Sequence, residues 1–62
     1  MHVGICEVKN IATGKTRYYA DGKRISESQW AHYNMVAMWT DSFITECSAK
    51  HVRQYSVLRL LP

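Results

Sequence analysis

The chain has 62 residues, 47% of them hydrophobic, with one proline, three glycines and a formal net charge of +3. That length allows a single domain, residues 1–62, near the lower limit at which a chain without metals or several disulfides buries enough apolar surface to fold. The composition excludes a disordered tail, and the mild positive charge favours anionic surfaces without requiring one.

Two cysteines, Cys6 and Cys47, lie 41 positions apart. The N-terminus lacks the basic, apolar and small-residue regions of a secretory leader, so free thiols in a cytoplasmic, soluble protein are expected. The longest apolar run, Met35 to Trp39, is far short of the roughly 20 residues that span a bilayer, so no membrane association is expected.

In chain order, Val3 to Val8 carries β-branched residues on both parities and reads as a strand with two partly apolar faces. Ala12-Thr13-Gly14-Lys15 reads as a hairpin tip. Thr16 to Ala20 returns as a second strand, with Arg17 and Tyr19 opposite to Thr16, Tyr18 and Ala20. Asp21-Gly22 supplies a tight turn, and Lys23 to Ile25 is at most a brief extended segment.

Ile25-Ser26-Glu27-Ser28-Gln29-Trp30 then marks a helix start. Ser26 and Gln29 have the spacing of a reciprocal capping box, and Ile25 and Trp30 that of a hydrophobic staple. The pattern predicts a helix from Glu27 to about Thr40, ended by Asp41-Ser42. Phe43 to Ser48 alternates with period two and reads as a strand.

The last segment has two readings. As a helix capped by Ser48, it places Val52, Tyr55 and Leu58 at helical spacing. As a strand from about Arg53 to Leu60 after a turn near Lys50-His51, it sets Tyr55, Val57, Arg59 and Leu61 against Ser56, Leu58 and Leu60. Its strand-compatible composition favours the second. The expected architecture is α+β, in the order β-β-α-β-β, with a small antiparallel sheet and one helix packed on one face.

The feature bearing on function is the excess of apolar residues in the expected helix. Trp30, Tyr33 and Ala37 fall on one side, Ala31, Met35 and Met38 on a second, and Val36 and Trp39 fill much of the remainder. One helix on a small sheet hides about half its circumference. A face built from Ala31, Met35, Met38 and Trp39 is therefore expected to dock on another protein or on a second copy of the chain, Met and Trp being residue types suited to interfaces. The competing expectation is that the sheet or the C-terminal segment wraps the helix and all these side chains are core.

A second set of residues suggests single-stranded RNA or DNA binding as the alternative. Lys15, Arg17, Lys23 and Arg24 are interleaved with Tyr18 and Tyr19, and Arg53 lies beside Lys50, His51 and Tyr55. Cations that neutralise phosphates and tyrosines that stack on unpaired bases are the means of sheet-based single-strand binders. Catalytic, metal and cofactor chemistry is not expected: His2, His32, His51, Cys6 and Cys47 contain no closely spaced ligand pair, and nothing brings a nucleophile and a base together.

The run Thr16-Arg17-Tyr18-Tyr19-Ala20-Asp21-Gly22-Lys23-Arg24-Ile25-Ser26, followed by a helix and closing strands, resembles the layout of short accessory proteins of tailed phages and enterobacterial prophages. The resemblance covers about a third of the chain and departs at the Trp- and Met-rich helix. It implies a small non-enzymatic protein that binds and redirects a protein of a bacterial host cell; separately, no small-molecule substrate is expected.

Overall fold

The structure, a computed structural model, describes residues 1–60, apart from the side chains of Ser42 and Phe43. Its elements are β1 (His2–Asn10), β2 (Thr16–Ala20), β3 (Lys23–Ile25), α1 (Glu27–Val36), β4 (Ala37–Cys47) and β5 (His51–Leu60). All strands pair antiparallel in one sheet of order β3-β2-β1-β5-β4. The α+β class and the small antiparallel sheet are as the sequence predicts.

Local chemistry explains the first half. Asp21 and Gly22 both have positive φ, 48° and 82°, the conformation of a hairpin turn whose twist matches its strands. The turn is tied to β1 twice: the Asp21 amide donates to the Gly4 carbonyl at 2.8 Å, and the Gly4 amide donates to Asp21 Oδ1 at 3.0 Å. This registry lets Lys23–Ile25 pair with β2, so the segment read as briefly extended is a fifth strand.

The capping box forms as expected. The Gln29 amide donates to Ser26 Oγ at 3.2 Å, and the Ser26 amide donates to Gln29 Oε1 at 3.0 Å. The helix is shorter than its pattern suggests, ending at Val36 rather than near Thr40, and Ala37 enters β4 with φ −70° and ψ 127°. Nothing in the last turn holds it, since no glycine follows and no basic residue compensates the dipole. Residues 37–47 instead satisfy their backbone groups against β5.

Two irregularities fit β4 to its neighbour, one between Ala37 and Trp39 and one between Ser42 and Ile44. Each inserts an extra residue and reverses which parity faces which side. The C-terminal segment is a strand, with Leu58 and Leu60 buried and Tyr55, Val57 and Arg59 on the other side. Leu61 lies outside the described residues.

The core sits at one end of one face. Val3, Ile5, Ala20, Leu58 and Leu60 are buried, and Ile25, Trp30, Tyr33 and Ala37 pack against them. Trp30 also stacks on Tyr18, with ring centroids 4.7 Å apart and planes tilted by 33°. α1 joins β3 at one edge of the sheet to β4 at the other, so its ten residues, about 15 Å long, cross the strands over one end of this face.

The stability of so small a core should rest on few side chains. Leu58, fully buried, should lose about 2–5 kcal/mol on replacement by alanine, most of what a chain this short is expected to have, so Leu58→Ala should be largely unfolded at 25 °C by circular dichroism. Ser26→Ala should cost about 1 kcal/mol in urea denaturation by removing the cap while the sheet persists.

Candidate functional site

Because antiparallel partners share a face, the register assigns the paired strand residues to a side. On the side away from α1, β1 contributes Gly4, Cys6, Val8 and Asn10. Two rungs cross the middle of this open face. Cys6 stands between Tyr19 and Tyr55, and Val8 stands between Arg17 and Arg53. Arg24 extends the tyrosine rung on β3, while Ile44 extends it on β4.

Small side chains along β1, flanked by larger ones on β2 and β5, make a trough of about 880 Å³ that runs along the central strand. Lys15, Arg17, His51 and Arg53 line one end and the two tyrosines the middle, while Asp21 lies at the other end. A second hollow, of about 200 Å³, lies beside the helix and is lined by Glu7, Trp30, Asn34 and Gln54 among others.

The open face is predominantly basic. Five of the eight Lys and Arg residues stand on it, namely Lys15, Arg17, Arg24, Arg53 and Arg59. Asp21, Asp41 and Glu46 are its carboxylates; Asp21 is engaged with the Gly4 amide, and Glu46 stands opposite Arg53. Burial pushes the Cys6 thiol up from its ordinary range, against the opposing pull of the Arg53 charge and a hydrogen bond with Tyr55. Arg53 and Tyr55 therefore bear directly on the trough floor.

The alternative set of nucleic-acid residues is thus divided by the fold. Lys15, Arg17, Tyr19, Arg24 and Arg53 come to the open face. Tyr18 and Lys23 do not: Tyr18 shares the helix side with Ile25 and stacks under Trp30, and Lys23 pairs with the buried Ala20. Burial and the Glu27 and Glu7 carboxylates also push the Tyr18 hydroxyl up. Tyr55 and His51, grouped with Arg53 in the sequence, also line the trough, while the small residues of β1 are additional parts of the site whose signal in the sequence was the shared parity of Gly4, Cys6, Val8 and Asn10.

The expected helix face at Ala31, Met35, Met38 and Trp39 is also rearranged. Ala31 and Met35 are on α1, but Met38 and Trp39 belong to β4, because the chain leaves the helix at Val36. Met38 is the extra residue of the first irregularity, and Trp39 stands on the open face opposite Arg59. These side chains are nonetheless uncovered in the protomer, with Met35 76%, Met38 60% and Trp39 62% exposed. The Trp39 indole donates to Asp41 Oδ1 at 3.0 Å, which holds the ring along the strand.

Among the described residues, no group of three or more His, Cys, Asp or Glu side chains is placed to hold a metal ion. No helix among them is long and apolar enough to cross a membrane. The class defined by these features is a small antiparallel α+β domain with one open sheet face. No protein-family model, curated protein or solved structure matches the chain.

The trough is open to test through its cysteine. Cys47 is exposed and Cys6 is not, so iodoacetamide should modify Cys47 first at pH 8. Following the pH dependence of Cys6 alkylation by mass spectrometry, Arg53→Ala should move the midpoint up, because the charge that favours the thiolate is lost, and Glu46→Gln should move it down.

Proposed function

We propose that this protein acts stoichiometrically, without catalysis, by binding a protein partner through the apolar side chains where α1 runs into β4. The observation that carries this reading is the joint exposure of Met35, Met38 and Trp39 within five residues of chain. Ala31 on α1 and Ile44 on β4, the latter 52% exposed, are further uncovered apolar residues of the two elements.

The surface area of the protomer supports the same reading. A folded monomer of 7.2 kDa is expected to expose about 4,100 Å², and this one exposes 4742 Å². Its radius of gyration, 11.8 Å, also exceeds the roughly 10.6 Å of a compact domain of this length.

β4 supplies a second means of recognition. It is an edge strand of 11 residues, so one row of its backbone donors and acceptors has no neighbour in the sheet. A partner can add a strand there while Trp39, oriented by Asp41, provides a rigid anchor. The partner is a protein of a bacterial host cell, in keeping with the phage-type layout of residues 16–26, or a second copy of the chain.

Sedimentation velocity and affinity capture from bacterial lysate, each with and without nuclease, test this reading. Trp39→Ala should weaken the complex by about 2 kcal/mol, roughly 30-fold, and the Met35→Ser, Met38→Ser double variant should weaken it similarly, both with unchanged circular dichroism. Undiminished binding by both variants would remove the assignment.

A further inference from the structure

We infer that the trough on the open sheet face is a binding site for a short single-stranded segment of nucleic acid, laid along β1 with bases on Tyr19 and Tyr55 and phosphates held by Lys15, Arg17 and Arg53. This site is separate from the apolar junction, since none of Ala31, Met35, Met38 and Trp39 lines the trough.

Neighbouring strands lie about 4.8 Å apart, so the two tyrosines, one strand to either side of Cys6, are about 10 Å apart at the backbone. The arginine rung repeats that spacing two residues further along β1, about 7 Å away. One tyrosine rung and one arginine rung thus stand side by side along the trough, within reach of neighbouring base and phosphate groups of a single strand. Single-strand binders combine stacking rings with a cationic groove in the same way.

Shape and charge select the occupant further. From Gly4 to Asn10 the floor extends about 20 Å and is a surface trough rather than a closed cavity, which suits a strand passing through more than an engulfed small molecule. The cations gather at the Asn10 end, whereas the Gly4 end carries Asp21, whose carboxylate already accepts a backbone hydrogen bond. Tyr19 and Tyr55 are half-buried, so ordering them against a ligand sacrifices little side-chain freedom.

Fluorescence anisotropy with labelled 12-nucleotide oligouridylate and oligothymidylate, titrated with the full chain at 50 and 200 mM NaCl, tests the site. Three phosphate contacts predict a slope of log K against log salt of about −2 for a single strand. Arg17→Ala and Arg53→Ala should each reduce affinity at least fivefold and bring the slope toward zero by about 0.7. Tyr19→Ala should reduce affinity by about tenfold with the slope unchanged, because stacking releases no counterions.

Lys9→Ala and Lys23→Ala, both on the helix side of the sheet, should change affinity less than twofold. Binding of one oligonucleotide and not the other assigns the site to RNA or to DNA. The inference is overturned if neither oligonucleotide binds at 50 mM NaCl, or if Lys9→Ala and Lys23→Ala weaken binding as much as Arg17→Ala and Arg53→Ala. It is overturned also if uridine monophosphate competes as strongly, nucleotide for nucleotide, as the oligomer.

Discussion

Everything in this structure follows from the position of β1, which is hydrogen-bonded on both edges and carries apolar side chains on both faces, while the described residues form one short helix to cover them. Val3 and Ile5 project toward α1 and join Ala20, Leu58 and Leu60 in the core. Cys6 and Val8 project the other way, where the described residues form no second layer. Sixty-two residues suffice for one layer on part of one face, and the remaining surface must be polar, shared with a ligand, or shared with another molecule.

The molecule shows all three outcomes in different places. Away from the buried core, the helix side of the sheet turns polar, with Glu7, Thr16 and Gln54 replacing the aliphatic side chains. On the open side, tyrosine rings and arginine stems flank the small apolar floor of β1, which partly shields Cys6 and Val8 while leaving charged heads in water. At the α1–β4 junction nothing in the protomer does either, and methionine and tryptophan stand exposed. The two proposed surfaces are thus two consequences of the same shortage of covering chain.

Their chemistry separates them. The junction offers adaptable thioethers, a held indole and an unpaired strand edge, all suited to burial against protein. The trough offers cations at one end and π faces at its centre, suited to an anionic ligand with aromatic rings. Trp39 stands on the open face while belonging to the edge strand, outside the lining of the trough.

Residues 1–30 were largely legible in the sequence because their structure is set by interactions a few positions apart. Asp21-Gly22 demanded positive φ, Ser26 and Gln29 capped each other, and parity alone separated Val3 and Ile5 from Cys6 and Val8, or Tyr18 from Tyr19. Beyond Val36 the local signals misled: Ala37 to Thr40 is as compatible with helix as with strand, and no stop residue marks the boundary. Pairing with β5 decided it, and two irregularities that shift the parity of β4 erased the period that reveals a strand. Likewise, the sequence named most of the cations and tyrosines, but only the register of three strands brought Tyr55 and Arg53 opposite Tyr19 and Arg17 and sent Tyr18 to the other side. Turns and caps are contests between neighbours along the chain, whereas strand partners are chosen across the whole molecule, and that choice put this protein's candidate surfaces where they are.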